Sequence, residues 1–470
     1  MKRIVCLFLG LSIGISFAQT KFAVARYLKS NGTLDSSFGT GGRVATGFKH
    51  PVTQAELPAG VEDLAILDFP TRTIAVGNAG NFAALAAYTD SGGLDPNFNG
   101  GAGTRILHLE SSGYAGANAT SRANAVAVQN GKIVVAGWFM GDVCGLPPEG
   151  CVNRPQRFAV ARFNPDGSLD QGFGVGGIVH TTFVDEGCSQ SWADAVAIDA
   201  TDRIIVGGSA TCSAGDYFAV ARFHSNGTLD FAFSQNGKAT VNLESDASSL
   251  SSLRQRIRDL RTDVTGRIVG TGTLYETVYS GVLFEYGMFV AFRLLSTGQL
   301  DPGFNQSGVL RVREGFVQAH SNEGHALAIQ PDGRIVAAGE TWFTPPGSAA
   351  VRGFTVARVQ SNGQLDTLFS GDGIQDTLFQ NAPPYSHSGA RDLALMGDKI
   401  LAVGWSGGYF ALAQYSSTGT LDPAFGNNGR VLTNFTCEGS EAASAVAVPN
   451  SRSTWFVVGG KADGNPCSRN

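Results

Sequence analysis

The segment FAVARFNPDGSLDQGFGVGGIV, from Phe158 to Val179, decides the fold of this 470-residue chain because close copies of it occur at six other places. The copies share the spine G-x-L-D-x-x-F. Its aspartates are Asp35, Asp95, Asp170, Asp230, Asp301, Asp366 and Asp422. Successive aspartates are 60, 75, 60, 71, 65 and 56 residues apart. Spacing of this kind indicates a repeat architecture that spans almost the whole chain.

A second motif alternates with the first. Its clearest copy, NAVAVQNGKIVVAG (Asn124–Gly137), combines an alternating run, an Asn-Gly turn and a β-branched run, a pattern typical of a β-hairpin. The other copies also end at glycine, namely Gly77, Gly208, Gly272, Gly339, Gly404 and Gly460. Because the first motif supplies another hairpin, each repeat has four short antiparallel strands, which predicts a β-propeller blade.

The order of the two motifs predicts how the array closes. The chain opens with a third-and-fourth-strand hairpin, from Phe22 to about Phe48, and ends with a first-and-second-strand hairpin, Ser444–Gly460. Seven copies of each half are present, and pairing the two terminal halves would remove two bare sheet edges. We therefore predict an all-β fold, a seven-bladed β-propeller of four-stranded antiparallel blades, closed by the N-terminal and C-terminal half-blades.

Composition agrees with many short strands and tight turns. Only 16% of the residues are charged, while glycine occurs 62 times. The best candidate for helical periodicity is LSSLRQRIRDL, Leu250–Leu260, at the junction of two repeats. No long amphipathic helix is expected.

The N-terminus has the pattern of a secretory signal peptide. Two basic residues precede an apolar run from Ile4 to Phe17, and a small-x-small cleavage site follows. We expect residues 1–18 to be removed and residues 19–470 to form a single propeller domain. The protein should then be exported, to a periplasmic, extracellular or cell-surface location, and no later segment is apolar enough for a membrane span.

Charge argues against nucleic acid as a partner. Without Lys2 and Arg3 the chain has 32 basic and 39 acidic residues, a net charge of −7. No basic stripe of the kind that nucleic-acid binders carry is present.

Six cysteines remain after removal of the signal peptide, an even number that suits disulfides in an oxidising compartment. Cys188 precedes the first strand of its blade and Cys212 follows the second, so the hairpin brings both to one end. Cys437 and Cys467 stand in the same relation, and Cys144 and Cys151 share one loop. The predicted disulfides are Cys188–Cys212, Cys437–Cys467 and Cys144–Cys151.

The units FAVARYxxxGxLDxxFGxxG and AVAVQxDGKIVVAG resemble the delta-60 repeat of bacterial proteins, which are often secreted or surface-associated. The resemblance extends from Phe22 to Gly460. It implies seven delta-60-like repeats in a propeller-like fold. It implies no agreed biochemical activity, so no catalytic residue is transferred.

The candidate ligand-binding face follows from loop lengths. Turns within hairpins are short and uniform, whereas connections between hairpins and between blades, such as Trp138–Arg157 and Thr273–Met288, are long and dissimilar. Both kinds of long connection should emerge on one face, and variable loops on a rigid scaffold are where binding usually resides. The polar residues that begin the first strands are candidate ligand contacts: Glu62, Asn124, Asp194, Arg258, His325, Arg391 and Ser444. The tryptophan candidates are Trp138, Trp192, Trp342 and Trp405.

Each candidate also has a structural interpretation. Polar residues commonly begin strands for solvation alone, and tryptophan also fills blade junctions. The repeated Leu-Asp pairs lack the ligand pattern of a calcium loop, so we expect the aspartates to accept turn N–H groups. No metal-ligand spacing, nucleotide fingerprint or nucleophile motif is present, so no catalytic, metal or cofactor residue is predicted and no cofactor is expected.

Three functions remain open at this point. The leading hypothesis is an exported, monomeric, non-enzymatic scaffold that binds a protein or polysaccharide ligand. The rival is an extracellular hydrolase or lyase that acts on a polymer at the variable loops, for which two close carboxylates in a channel-mouth pocket would argue. The third is a structural component of the cell envelope.

Overall fold

A computed structural model describes most of the chain. The described residues are 20–68, 70–110, 119–144, 151–213, 215–242, 254–279, 283–312, 322–345, 347–380, 386–435, 441–449 and 452–463. The expected signal peptide, residues 1–18, lies outside them. In the described part, no helix has the length and apolar character needed to cross a membrane.

The strands follow one another in the predicted order. The chain begins with β1 (Thr20–Leu28), β2 (Arg43–Thr46), β3 (Phe48–Lys49) and β4 (Glu56–Leu57). Blade 1 comprises β5 (Ala59–Leu67), β6 (Arg72–Ala79), β7 (Phe82–Tyr88) and β8 (Thr104–Leu107). Blade 2 comprises β9 (Thr120–Gln129), β10 (Lys132–Cys144), β11 (Cys151–Phe163) and β12 (Ile178–Thr181). Blade 3 comprises β13 (Cys188–Ile198), β14 (Ile204–Cys212), β15 (Gly215–Phe223) and β16 (Lys238–Val241).

The remaining blades repeat this plan. Blade 4 comprises β17 (Arg254–Thr262), β18 (Ile268–Tyr279), β19 (Leu283–Leu294) and β20 (Val309–Val312). Blade 5 comprises β21 (Glu323–Ile329), β22 (Ile335–Phe343), β23 (Val351–Val359) and β24 (Ile374–Thr377). Blade 6 comprises β25 (Ser388–Met396), β26 (Lys399–Ser406), β27 (Tyr409–Tyr415) and β28 (Arg430–Thr433). The last strands are β29 (Ala442–Ala447) and β30 (Trp455–Asp463), and two single-turn 3₁₀ helices cover Asn99–Gly101 and Val184–Glu186.

The seventh blade joins the two ends of the chain. Its sheet order is β2-β1-β30-β29, and β1 pairs with β30 antiparallel from Thr20 opposite Asp463 to Leu28 opposite Trp455. The predicted seven-bladed ring and its closure are therefore confirmed. Closure leaves no half-blade with a bare central edge.

The hydrophobic core is divided among the blade junctions. Among the described residues, seven apolar clusters each combine side chains of two neighbouring blades. The cluster between the seventh and first blades, for example, joins Phe22 and Val24 to Val61 and Leu64. Because each junction buries its own cluster, the inner ends of the first strands are left to line a central channel.

The aspartates of the repeated Leu-Asp motif accept turn N–H groups and bind the outer strands, as predicted from the sequence. Asp170 accepts hydrogen bonds from the Gly172 backbone N–H (3.2 Å) and from Arg162 Nε (2.7 Å). Arg162 lies over the Phe173 ring at 4.7 Å and donates to the Ser225 carbonyl of the next blade. The same arrangement recurs around Arg26, Arg222, Arg293 and Arg358.

The segment with helical periodicity is a strand. From Arg254 onward, the described part of Leu250–Leu260 belongs to β17. In the strand the arginines at 254, 256 and 258 recur every second residue, and the intervening Ile257 is fully buried in the junction of blades 3 and 4. The short apolar spacing fits both periods, and the sheet partners decide between them.

One predicted disulfide is confirmed. Cys188 and Cys212 are bonded across the first hairpin of blade 3. The strand register places Cys144 directly opposite Cys151 in blade 2, which agrees with their predicted pairing, but their bond stays a prediction. Cys437 and Cys467 lie outside the described residues.

The closure makes a testable prediction about stability. A chain that begins at Lys49 lacks β1 and β2 and exposes the whole edge of β30. We expect it to melt at least roughly 10 °C lower and with a broader transition than a chain that begins at Thr20, because one blade loses half its strands. Differential scanning calorimetry of the two chains measures this. Equal melting temperatures and equally sharp transitions would contradict closure by the chain ends.

Candidate functional site

A β-bulge occurs at the same place in every blade. Between the first and second strands the register skips one residue, for instance between Val61 and Asp63 in blade 1 and between Ile257 and Asp259 in blade 4. The skipped residues are Glu62, Asn124, Asp194, Arg258, His325, Arg391 and Ser444. They are the seven candidates from the sequence. We call them the polar ring.

The recurrent glycine of each second strand explains the bulge. A Cβ atom on Gly208 would lie 2.0 Å from the Trp192 carbonyl oxygen, and one on Gly137 would lie 1.8 Å from that of Arg122. The other five junctions, at Gly77, Gly272, Gly339, Gly404 and Gly460, leave 1.9 to 2.0 Å. Only a residue without a side chain lets the bulged backbone approach this closely. The glycines therefore fix where the polar ring lies.

The polar ring separates two cavities on the channel axis. The axial cavity, about 410 Å³, reaches from the ring towards the short hairpin turns. The mouth cavity, about 610 Å³, opens towards the face of the long connections, which we call the variable face. All seven ring residues line both cavities. The structure thus brings together residues that are up to hundreds of positions apart in the chain.

The tryptophan candidates do not form one cluster. Trp138 and Trp405 line the mouth cavity. Trp192 lines a separate groove between blades 3 and 4. Trp342 lies at the end of blade 5, where Arg352 packs over its ring at 5.3 Å and His387 lies 5.0 Å from it, and it lines none of these three cavities.

The mouth cavity carries more positive than negative groups. Five cations line it: Arg122, Arg256, Arg258, Arg391 and Lys461. Two carboxylates line it, Glu62 and Asp194, and Arg256 holds Asp194 through two hydrogen bonds of 2.7 Å. The cavity is therefore electropositive in a chain whose formal net charge is −5.

Three of these cations form no salt bridge with other described residues: Arg122, Arg258 and Lys461. Glu62 attracts Arg122, and Asp194 and Glu323 attract Arg258, without direct ion pairs. Arg258 is the most constrained, because its Nε atom is buried and has no hydrogen-bond acceptor in that part of the chain. Burial and the nearby Arg256 guanidinium lower the pKa of Arg258 below its ordinary value. An anion placed in the mouth cavity would supply the missing partner.

A histidine and two glutamates meet beside the polar ring. The possible ligand atoms of Glu323, His325 and Glu340 all lie within 4.8 Å of one another, a spacing that could hold a metal ion. Arg391 already occupies this position, because its guanidinium donates to His325 Nε2 at 2.5 Å and lies 3.4 Å from Glu340 Oε2. Arg352 also donates to Glu340 Oε1 at 2.9 Å. Two guanidinium groups balance the charges of the two glutamates and engage Glu340, so a metal ion is disfavoured here.

Protonation states follow from the same surroundings. Burial and the charges of neighbouring arginines, Arg391 first among them, hold the pKa of His325 well below its usual range, so the imidazole is neutral at pH 7. Burial raises the pKa of Glu340, while Arg391 and Arg352 oppose that rise. The neutral imidazole accepts a hydrogen bond from Arg391, whose charge is balanced by Glu340.

Three aspartates below the polar ring tie neighbouring blades together. Asp63 accepts hydrogen bonds from the backbone N–H groups of Leu64 and, in the next blade, Val126, both at 2.7 Å. Asp259 and Asp392 make the equivalent bonds to Leu327 and Val446. Burial raises the pKa of Asp63 to about 7, and it also raises the pKa of Asp259 and Asp392.

Several residues that the structure places at this site could not be selected from sequence patterns alone. Arg122 and Arg256 precede the bulge by two positions, and Lys461 lies on a second strand. The alternation R-Q-R-I-R in β17 indicates arginines on one face of a strand. The apolar residues of the same segment also have helical spacing, so the sequence alone does not decide between the two. The aspartates Asp63, Asp259 and Asp392 directly follow ring residues, and their significance depends on the bulge.

Comparison with protein families supports a β-propeller repeat. The chain is similar to the family described as "Domain of unknown function (DUF5122) beta-propeller", whose model matches residues 129–173, 200–233, 330–369 and 398–425. Each matched segment ends at the phenylalanine of a G-x-L-D-x-x-F motif, and none includes a polar-ring residue. The match therefore concerns the scaffold and does not identify the delta-60 repeat by name. No curated protein matches the chain in sequence.

Solved structures match the chain only at low similarity. The polysaccharide lyase Uly1 is 10% identical with a TM-score of 0.43, over 94% of this chain and 99% of that one. An α-L-arabinanase of Penicillium chrysogenum is 11% identical with a TM-score of 0.35, over 71% and 91% of the two chains. An α-L-arabinanase of Cellvibrio cellulosa is 10% identical with a TM-score of 0.31, over 71% and 93%. Similarity at this level is no guide to function.

The bulge glycines give a second prediction. Replacing Gly208 with alanine should destabilise the fold by roughly 3 kcal/mol, because the added Cβ meets a backbone carbonyl that cannot move aside. Gly93→Ala is the matched control, since a Cβ there has no neighbour closer than 3.6 Å. Urea unfolding of both variants measures the difference. Equal midpoints would show that the bulge tolerates a side chain.

The aspartates below the ring give a third prediction, on pH. Because folding raises the pKa of Asp63 to about 7, the folded state holds a proton that the unfolded chain releases near pH 4. Asp63 should therefore favour folding least at high pH, and its contribution should decline between about pH 4 and about pH 7. Asp63→Asn should gain on the wild type by roughly 1–3 kcal/mol as the pH rises through that window.

Urea unfolding of the wild type and Asp63→Asn at a series of pH values measures this difference. The comparison with Asp63→Asn is needed because the aspartates of the outer strands make the wild-type free energy of unfolding change with pH in the opposite direction. Burial raises the pKa of Asp170, but hydrogen bonds from Lys132, Gly172 and Arg162 outweigh it and hold that pKa below its ordinary value. A pH-independent difference between the two proteins would contradict a raised pKa at Asp63.

Proposed function

We propose that this propeller is a binding scaffold for an acidic polysaccharide and that the mouth cavity receives a carboxylated sugar of that polymer. The observation that carries the proposal is the excess of cations in the mouth cavity, five against two carboxylates. Arg122, Arg258 and Lys461 form no salt bridge with other described residues. Unpaired charges in a partly enclosed cavity destabilise a fold, and a ligand carboxylate would offset that cost.

The other groups of the mouth favour a carbohydrate over a protein side chain. Trp138 and Trp405 offer flat apolar ring surfaces, on which the apolar faces of sugar rings can pack. Asn124, Ser444 and Glu62 supply donors and acceptors for hydroxyl groups at the level of the polar ring. A cavity of about 610 Å³ has the size of a small-ligand site, so it suits one or a few sugar units better than a folded partner.

Catalysis by paired carboxylates is less well supported. Glu323 and Glu340 are close to each other at the edge of the mouth, as a glycoside hydrolase would require. However, the Glu340 side chain is only 1% exposed and is engaged by Arg391 and Arg352. Neither glutamate lines the mouth cavity or the axial cavity. The pair is therefore poorly placed to reach a glycosidic bond, and binding is the better proposal.

We also propose that the protein is exported and acts as a monomer. A polysaccharide ligand is compatible with an extracellular, periplasmic or cell-surface location, which the signal peptide pattern of residues 1–18 predicts. The Cys188–Cys212 disulfide agrees with an oxidising compartment.

The proposal predicts a charge-dependent ligand preference. On a glycan array the chain should bind glycans that contain uronic acids and should not bind their neutral counterparts. Arg258→Gln should weaken binding about tenfold, because a charge-assisted hydrogen bond in an enclosed site is lost. Lys399→Gln is the matched control, since it removes the same charge at the hairpin turn of blade 6 on the opposite face. Binding should also weaken as salt is raised.

Two tryptophan variants separate the mouth from the rest of the variable face. Trp405→Ala should weaken binding because it removes a wall of the mouth cavity, whereas Trp342→Ala, outside the cavity, should not. If no acidic glycan binds, or if Arg258→Gln and Lys399→Gln behave alike, the mouth cavity is not the binding site.

A further inference from the structure

A lateral groove continues the mouth cavity outward between blades 3 and 4. It has a volume of about 520 Å³ and is lined by Trp192, Asp216, Arg254, Gln255, Arg256, Arg258 and Tyr275. Arg256 and Arg258 line both the groove and the mouth cavity. The two spaces are therefore neighbours that share one wall, formed by β17.

The arginines of β17 form a row along this wall. Arg254, Arg256 and Arg258 recur every second residue, so their Cα atoms follow one another at roughly 7 Å intervals on one face of the strand. The alternate residue Ile257 points the opposite way and is fully buried in the core between blades 3 and 4. The row leads from the polar ring, where Arg258 is the bulged residue, to the exposed end of the strand at Arg254.

The charges of this row are only partly compensated. Arg256 is bound by Asp194, whereas Arg254 and Arg258 have no ion pair or hydrogen bond to other described residues. Asp216 is the one carboxylate among the described residues that line the groove, and it accepts a hydrogen bond from Thr211 at 2.7 Å. The groove is therefore electropositive, like the mouth that it adjoins.

Aromatic side chains complete the groove. Trp192 lies on β13 of blade 3 and Tyr275 on β18 of blade 4, and both are half-buried. Burial raises the pKa of Tyr275 to about 12, and a hydrogen bond to Glu323 supports that rise, so its hydroxyl is neutral and donates to this carboxylate. Two ring systems beside a row of cations offer both packing and charge to a chain of acidic sugars.

We infer that the lateral groove is a second subsite and that the ligand is a linear polyanionic polysaccharide running along β17, with one anionic unit in the mouth and later units over Arg254 and Trp192. This inference rests on the proposed function and extends it from one carboxylated sugar in the mouth to several successive charged units of the same polymer. A row of cations on a rigid strand is complementary to anionic groups that repeat along a chain. A single acidic sugar would occupy the mouth and leave Arg254 unused.

The test is the dependence of affinity on ligand length. Titration calorimetry of the full chain with the galacturonic acid disaccharide and hexasaccharide should give at least about tenfold tighter binding of the hexasaccharide. Arg254→Gln and Trp192→Ala should each remove much of that gain and leave disaccharide affinity within about twofold of the wild type. Arg258→Gln should weaken both ligands, because Arg258 belongs to both spaces.

The variants are chosen so that a change in affinity does not arise from a loss of folding stability. Arg254 is exposed and unpaired within the described structure, so its loss should leave the melting temperature unchanged. Trp192→Ala removes the indole ring but keeps the backbone carbonyl that faces Gly208, so the bulge contact is retained. Lys399→Gln, on the opposite face, again controls for net charge.

The possible outcomes are distinguishable. If the hexasaccharide binds more tightly but Arg254→Gln and Trp192→Ala do not alter it, the groove is not a subsite, although the mouth proposal stands. If neither galacturonic acid ligand binds, the proposed function fails with it. If a single-stranded oligonucleotide of equal charge competes more strongly than the hexasaccharide, the cation row serves nucleic acid and the polysaccharide inference is overturned.

Discussion

The structure depends on a backbone contact that only glycine permits. In each blade the carbonyl oxygen two residues before the bulge lies against the glycine of the second strand, where any Cβ would come within about 2 Å of it. This contact lets the first strand carry one extra residue, and that residue stands on the channel wall. Seven repetitions of the contact place seven side chains at one level. The same level separates the axial cavity from the mouth cavity, so the candidate site results from the glycine contact that each blade repeats.

The bulge also explains how the repeat can be strict while the site is individual. Residues on either side of the ring are constrained, since Val61 and Leu64 pack in a blade junction and Asp63 binds the next blade. The bulged residue has no cross-strand partner, so neither packing nor pairing fixes its identity. Glutamate, asparagine, arginine, histidine and serine all occur at this position. At the outer edge, by contrast, the Asp–Arg–Phe group contacts the following blade and is repeated closely.

The ring residues could be selected from the sequence because each blade repeats the same hairpin motifs, and such local patterns are visible in a single chain. The order of the motifs predicted the closing blade, and the hairpin register predicted the Cys188–Cys212 bond. The seven ring residues were expected to begin the first strands, but the structure places them at bulges within those strands. Sequence reasoning could not weigh Arg122, Arg256 or Lys461, because their importance depends on which strand faces which cavity across blades. Arg254–Leu260 was ambiguous for a physical reason, since a short run with arginine at every second position also places apolar residues at helical spacing. The sequence predicts all four tryptophans on one face. In the structure, two line the mouth cavity, one lines the groove between blades 3 and 4, and one lies at the end of blade 5.

The strongest argument for a ligand is a conflict between stability and charge placement. A fold of this kind can satisfy its arginines, as the outer strands demonstrate, where Arg162, Arg222 and Arg358 each have an aspartate within 2.8 Å. At the channel mouth the same chain leaves Arg258 with a buried, unpartnered Nε and surrounds it with further cations. Such local violations are expected where a site is organised for something that the protein itself does not contain. An anionic group in the mouth resolves the conflict at Arg258.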